Sequence, residues 1–286
     1  MHIRAYYTLA KPGIIYGNLF TAIGAFFMGS HWHPSLLTGA AMALGLGAII
    51  GSASVFNNYF DRDIDKKMER TKNRPSVTGV ISGSAMLLYG TTLGIIGTVL
   101  LFFFVNLEAT AAALFGWFSY VVLYTLLSKR GSEWGTLIGG SSGAMPPVVG
   151  YVAATGQLDV TAGILFLMLT FWQMPHAYAI ALYRLKDYEA AAIPVLPIAR
   201  SIKHTKVEIA LYIILFAIAA PHLTRVGSAG VYYASIASAV SVYWLYVTYR
   251  EWSNPDVSRF GKNVFLTSLI VLVVVFVTMG IDTPHL

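Results

Sequence analysis

From Ile14 to Gly280 the chain repeats one pattern: apolar runs of about 15 to 20 residues, separated by short segments rich in charge, proline or glycine. Each run approaches the ~20 residues that cross ~30 Å of hydrocarbon as a helix. Taking the breaks as boundaries predicts nine spans, at about 13–29, 36–60, 82–104, 109–127, 135–154, 160–182, 207–223, 229–248 and 263–281. The expected fold class is all-α, a polytopic membrane protein whose nine transmembrane helices bundle around a central cavity open toward the cytoplasmic side. Residues 1–286 read as a single transmembrane domain, with no soluble domain, linker or low-complexity segment. Two breaks, 62–82 and 183–206, are long, and they follow spans two and six about 125 residues apart. That spacing suggests two four-helix halves and a ninth helix, without a residue-level repeat beneath it.

Composition narrows the class. Hydrophobic residues make up 56% of the chain and charged residues 11%, less than half of the roughly 25% charge usual in a soluble domain, and the mean hydropathy is +0.65. A soluble single core is excluded. Cysteine is absent, which removes disulfides, thiolate metal sites and cysteine nucleophiles. The net charge of +6 reads as a topology signal rather than a nucleic-acid surface. Of 19 Lys and Arg, all but Arg225 fall in the N-terminal segment or in the segments after spans two, four, six and eight. By the positive-inside rule these face the cytoplasm, as does the N-terminus, and the C-terminus lies opposite. The stretch from Met1 to Pro12 has no small-residue cleavage site after its apolar run, so no removable signal peptide is expected.

The polar chemistry concentrates where span two ends. Asn57, Asp61 and Asp65 recur every four residues, and each step of four turns a helix by only about 40°, so the three side chains form a column of oxygens on one face. Two carboxylates and an amide carbonyl suit Mg²⁺, which takes oxygen ligands and is commonly shared with substrate phosphates. Asp63 lies roughly 160° away on the same geometry and is expected to be solvated or paired with a neighbouring lysine. A run of charge at a membrane edge is the competing reading. Against it, Asn57 and Asp61 follow an otherwise apolar helix, where polar groups are costly and face a protein interior or a wet cavity. Arg70, Lys72 and Arg74 come next and bring enough positive charge to hold a diphosphate. Metal and cations beside an apolar bundle describe a site for an isoprenoid diphosphate.

At this cluster the sequence resembles the UbiA-type intramembrane prenyltransferases, whose first signature, N-x-x-x-D-x-x-x-D at the end of the second helix, is filled by Asn57, Asp61 and Asp65. The longer string through Met68-Glu69-Arg70-Thr71-Lys72-Asn73-Arg74-Pro75 resembles the branch that farnesylates protohaem IX, the haem O synthases. Further agreement comes from Lys11-Pro12-Gly13, from Tyr124-Thr125 with Lys129-Arg130, and from Gly143-Ala144-Met145-Pro146-Pro147 through Tyr151. Trp172-Gln173-Met174-Pro175-His176, Asp187-Tyr188 and Ile193-Pro194-Val195-Leu196-Pro197 complete it. The resemblance runs from about Lys11 to Lys206; spans seven to nine match mainly in hydropathy. Superfamily members with other acceptors usually carry a second D-x-x-x-D after span six. Here Asp187-Tyr188-Glu189-Ala190-Ala191 lacks the second carboxylate, which agrees with the haem pattern and leaves Asp187 as a lone ligand, with Glu189 as a candidate helper.

The resemblance implies transfer of a farnesyl group from farnesyl diphosphate to a vinyl carbon of haem b. Water completes the new substituent, diphosphate leaves, and Mg²⁺ is the cofactor. It also implies a bacterial-type inner membrane, with the lipid bilayer as surroundings and a downstream haem-modifying enzyme or oxidase as recipient of the product. Asp61, Asp65 and Asn57, with Asp187, are the expected metal ligands; Arg70, Arg74, Lys129 and Arg130 are expected on phosphate oxygens. Pairing with lipid headgroups competes for Lys129 and Arg130. Tyr124, Tyr120 and Tyr59 are candidates to face a cationic prenyl carbon, against a packing or interfacial role. His176, with Arg184 and Lys186, is the candidate set for haem, the histidine for iron or catalysis and the cations for propionates. A hydrogen bond between helices is the competing reading for His176. His31, His33, His222 and His285 fall on the opposite side. Pro146, Pro147 and Pro175 either free carbonyls toward a cavity or simply kink the helices.

Two rivals remain. One is a prenyltransferase with an aromatic or quinone-precursor acceptor, which Ala191 and the haem-type segments oppose. The other is a transporter or channel, for which polar residues should occur at several depths; here nearly all lie at one face.

Overall fold

The computed structural model describes residues 2–284, with side chains from Ile3 onward, so His285 lies outside the described residues. Among those residues every regular element is a helix. A short α1 (His2–Leu9) precedes α2 (Pro12–Gly29) and α3 (Leu36–Phe60); α4 (Arg62–Asp65) and α5 (Pro75–Thr78) sit in the loop before α6 (Gly83–Phe104). Next, α7 (Leu107–Phe118) passes directly into a π-helix over Ser119–Ser128. After α8 (Gly135–Gly143) and α9 (Met145–Thr155) comes α10 (Val160–Tyr183), then the small α11 (Leu185–Ala190) and α12 (Leu196–Ala199). The chain finishes with α13 (Ile202–Ala219), α14 (His222–Arg225), α15 (Val231–Arg250) and α16 (Val257–Ile281).

Helix starts follow the local sequence. Ser35, Ser82, Asn106, Asp159, Ser201 and Asp256 each cap a helix by accepting from the backbone N–H three residues on, satisfying a donor the helix leaves free.

Seven helices are long and apolar enough to cross a membrane, including Leu107–Ser128 and Ile202–Arg225 as continuous rods. They coincide with seven of the nine expected spans. The fifth expected span is two helices, α8 and α9, meeting at Ala144 just before Pro146-Pro147, and each is short of a crossing. The eighth corresponds to α15, whose run is interrupted by Ser235, Ser238 and Ser241 and is rich in tyrosine.

Close packing rests on small residues, as expected where lipid gives no apolar drive between helices. A Cβ at Gly97 of α6 would come within 2.6 Å of the Gly45 carbonyl oxygen of α3, and one at Gly150 of α9 would collide with the Ala22 carbonyl of α2. The loops expected on the cytoplasmic side gather on one face. Arg130 pairs with Asp63, Arg200 with Glu133, and Asp187 accepts from the Glu69 N–H at 3.3 Å. At the other end, His31 reaches the Pro284 carbonyl oxygen and Thr161 meets Ser228.

Candidate active site

At Asp61 the backbone leaves helical geometry (φ −90°, ψ 5°) between α3 and α4. The oxygen column survives the kink because the ladder continues: Asp61 N–H donates to Asn57 O at 2.9 Å and Asp65 N–H to Asp61 O at 2.8 Å. Asn57, Asp61 and Asp65 are only 3%, 0% and 3% exposed. Buried polar groups need partners, and three cations supply them, two on the carboxylates and one on the amide. Lys129 pairs with Asp61, Arg74 with Asp65 at 2.7 Å, and Lys11 donates to Asn57 Oδ1 at 2.5 Å. Arg74 also reaches Asn58 Oδ1 at 3.2 Å, and Asn57 Nδ2 donates to Asp61 Oδ2 at 2.7 Å and to Thr125 Oγ1 at 3.0 Å. Lys11 caps α2 in the left-handed region (φ 53°), ahead of Pro12. Burial pushes its ammonium down to about 7; Arg74 and Lys129 push the same way, while Asp61 and Asp65 oppose.

One oxygen of this cluster, Asp61 Oδ1, is buried with no hydrogen-bond partner. An orphaned carboxylate oxygen is costly, and beside Asp65 and the Asn57 amide it forms the donor set that suits a hard divalent ion. Among the described residues no group of three or more His, Asp and Glu could hold a metal, so Asp187, engaged by Glu69, does not complete a third carboxylate.

The π-helix brings the opposing wall. Its wider turn lets Thr125 Oγ1 donate to Tyr120 O, five residues back, at 2.8 Å, and Lys129 N–H to Tyr124 O at 2.9 Å. Thr125 thereby meets Asn57, Lys129 meets Asp61, and the Tyr120 and Tyr124 rings lie 5.6 Å apart.

Two cavities flank this wall. One of about 220 Å³ is bounded by Tyr120, Tyr124, Lys129, Gln173 and Tyr188. The other, of about 370 Å³, is mostly apolar and bounded by Trp117, Tyr120, Met145, Trp172, Gln173 and His176. Tyr120, Gly139 and Gln173 border both, so the chamber that Lys129 lines adjoins the larger apolar one. Gln173 Nε2 is buried without a partner. His176 bonds Ser268 Oγ through Nδ1 at 2.7 Å and stacks on Trp172 at 4.6 Å.

Several expected residues sit elsewhere. Asp63 takes Arg130 rather than a neighbouring lysine, in a two-pronged pair at 2.6 and 2.7 Å. This holds the Asp63 carboxyl below its ordinary range and turns Arg130 to the exposed side, away from the place expected of a phosphate ligand. Arg70 is exposed and has no ion-pair partner among the described residues. Arg184 lies over the Tyr183 ring at 4.3 Å, Lys186 is exposed, and Tyr59 lies under Arg62 at 4.2 Å; none of the three borders either cavity. Conversely, Asn58 and Ser268 belong to the site without having been singled out by pattern, and Lys11, Thr125 and Gln173 belong to it although they entered only as residues of the resemblance, with no role attached. Lys11 alone carries a usable signal, a lysine at a helix start on the same side as the oxygen column.

The sequence profile of the UbiA prenyltransferase family matches residues 18–277. A protoheme IX farnesyltransferase from Yersinia pestis (strain Pestoides F) is 46% identical over 282 residues, covering 99% of this chain and 95% of that protein. Protoheme IX farnesyltransferase 2 from Pseudomonas paraeruginosa is likewise 46% identical over 282 residues, with the same coverage. Among solved structures, one of a digeranylgeranylglyceryl phosphate synthase superposes with a TM-score of 0.81 at 19% identity, over 98% of both chains. A UbiA homologue from Archaeoglobus fulgidus bound to GPP and Mg²⁺ gives 0.64 at 15%, over 96% of this chain and 99% of that one. At such identities the structures speak to fold, and the fold is the same all-helical one. A profile that runs through nearly all of the chain, and relatives that align with it almost end to end, make this protein a member of the UbiA prenyltransferase family.

Proposed function

We infer that this integral membrane protein transfers the farnesyl group of farnesyl diphosphate to a vinyl group of haem b, with addition of water, giving haem O and diphosphate. The observation that carries the reading is the 46% identity, over 99% of the chain, to a protein named protoheme IX farnesyltransferase. The site geometry supports it: Lys129, paired with Asp61 of the buried oxygen column, lines a chamber that opens beside a larger apolar one, which suits a substrate with a polyanionic head and a hydrocarbon tail. The whole chain acts as one transmembrane domain in a bacterial-type inner membrane, with its charged face, and so the site, toward the cytoplasm.

Asp61 and Asp65, with the Asn57 carbonyl, would hold Mg²⁺. When bound, the ion supplies Lewis-acid charge toward the departing diphosphate. Lys129 and Arg74 then turn from the carboxylates, and Lys11 from the Asn57 amide, to phosphate oxygens and stabilise the charge that develops as the allylic carbon–oxygen bond breaks. Tyr120 and Tyr124 present ring faces to the cationic carbon, and the apolar chamber keeps water from it. Farnesyl C1 bonds to the terminal vinyl carbon; a water oxygen then adds to the inner one and loses a proton. His176 lies on the acceptor side. Arg184 and Lys186, at the membrane edge, are left for the propionates.

Incubation of purified protein with haem b, farnesyl diphosphate and Mg²⁺, followed by mass analysis of the pigment, tests the reading. Haem O is the expected product. An unaltered porphyrin beside a prenylated benzoate or naphthoate would assign the sister reaction instead.

A further inference from the structure

Ser268 of α16 is fully buried and makes three polar contacts, all of which bear on one histidine. Its hydroxyl lies 2.5 Å from the Phe265 carbonyl oxygen and 2.7 Å from His176 Nδ1, and its own carbonyl accepts from Trp172 Nε1–H at 2.9 Å. Two oxygens at 2.5 Å have a proton between them, and a carbonyl has none to give, so the single hydroxyl hydrogen of Ser268 is committed to Phe265. Toward His176 the hydroxyl can only accept. The Nδ1 atom therefore carries the ring proton and Nε2 carries the lone pair.

The ring is also fixed in orientation. Trp172 stacks on it at 4.6 Å and 26°, and Phe265 lies against it at 5.0 Å. His176 borders the 370 Å³ chamber, and Nε2 has no hydrogen-bond partner among the described residues. A neutral imidazole whose second nitrogen is tied to an oxygen is the arrangement in which histidines ligate metals.

We propose that Ser268 is a positioning residue that locks His176 in its Nδ1–H tautomer, so that Nε2 serves as an axial ligand to the iron of the haem acceptor. The inference rests on the haem-acceptor reading above and adds to it the atom that holds the acceptor and the group that orients that atom. Through the shared Ser268, α16 also sets Trp172, so the stacked pair and the iron ligand move as one unit.

The test uses the full chain in lipid nanodiscs, titrated with ferric haem b in the absence of farnesyl diphosphate and followed by visible and electron paramagnetic resonance spectra. The wild type should show an axial-nitrogen signature that His176→Ala loses and added imidazole restores. Ser268→Thr and Ser268→Val have the same shape, so their difference reads the hydroxyl alone. The threonine variant should keep the signature, and the valine variant should bind haem about tenfold or more weakly with the signature degraded, the scale of losing an outer partner of a metal ligand. Retained binding of farnesyl diphosphate by both checks the fold. Equal haem spectra and affinities for the two variants overturn the role of Ser268, and a signature unchanged in His176→Ala overturns the ligation. A wild type that binds no haem but prenylates another acceptor overturns the acceptor reading itself.

Discussion

Lys129, the first residue past the π-helix, pairs with Asp61 at the kink that ends α3, although 68 positions separate them. The pairing depends on register. The π-helix makes its hydrogen bonds five residues back rather than four, and a regular α-helix over the same segment would rotate Lys129 away from the oxygen column. The two sides of the site are thus held by an irregularity in one helix and a kink in another.

Asp61→Ala and Asp65→Ala should abolish turnover. Because Lys129 and Arg74 would be left without their carboxylates, each also costs stability, by about 3 kcal/mol if the orphaned cation stays buried. Asp61→Asn keeps the shape and separates the effects: turnover by mass analysis should fall by about 10² or more, with a smaller change in thermal unfolding.

Lys129 and Arg130 are adjacent in sequence but not in role. Lys129→Ala removes the partner of Asp61 and should cut kcat sharply. Arg130→Ala breaks an exposed pair with Asp63, worth about 0–1 kcal/mol, and should leave kcat within a few-fold of wild type. Steady-state kinetics on the two variants decides the matter.

Lys11→Met removes one of three cations set against two carboxylates. Farnesyl diphosphate should bind about 10-fold or more weakly, the scale of one lost charged hydrogen bond. The protein itself should change little in stability, since deleting a desolvated ammonium offsets the donor lost to the buried Asn57 Oδ1. Ligand titration paired with thermal unfolding checks both halves.

Chelation of divalent ions should stop turnover, and Mg²⁺ should restore it. The unfolding temperature should change little, because Lys129, Arg74 and Lys11 already partner the ligand residues.

Gly150→Ala should destabilise the bundle by about 1–3 kcal/mol. Its Cβ would meet the Ala22 carbonyl of α2, and backbone cannot swing aside as a side chain can. Unfolding in detergent reads this directly.

Much of this arrangement is legible in the linear pattern. Apolar run length depends on hydrocarbon thickness and not on tertiary detail, which is why seven predicted spans coincide with helices. The column of Asn57, Asp61 and Asp65 is legible because its period is local and the backbone bonds carry it through the kink. What escapes the pattern is non-local. Lys11 meets Asn57 across 46 positions, and the sequence around it does not say that it folds back. Ser119–Ser128 carries no feature marking a π-helix. Ser268, one hydroxyl in the apolar run of α16, acquires meaning only when α10 packs beside it. The break at Ala144 lies between: Pro146 and Pro147 announce an interruption but not that one span becomes two short helices.

The imbalance of three cations to two acids outlasts the reaction. Once the prenyl group has left, a small, highly charged by-product remains in a pocket built to attract it, with no greasy tail to compete for. Inorganic pyrophosphate should therefore act as a product inhibitor competitive with the prenyl donor, and its escape, rather than bond-making at the porphyrin, should pace the cycle when donor is abundant.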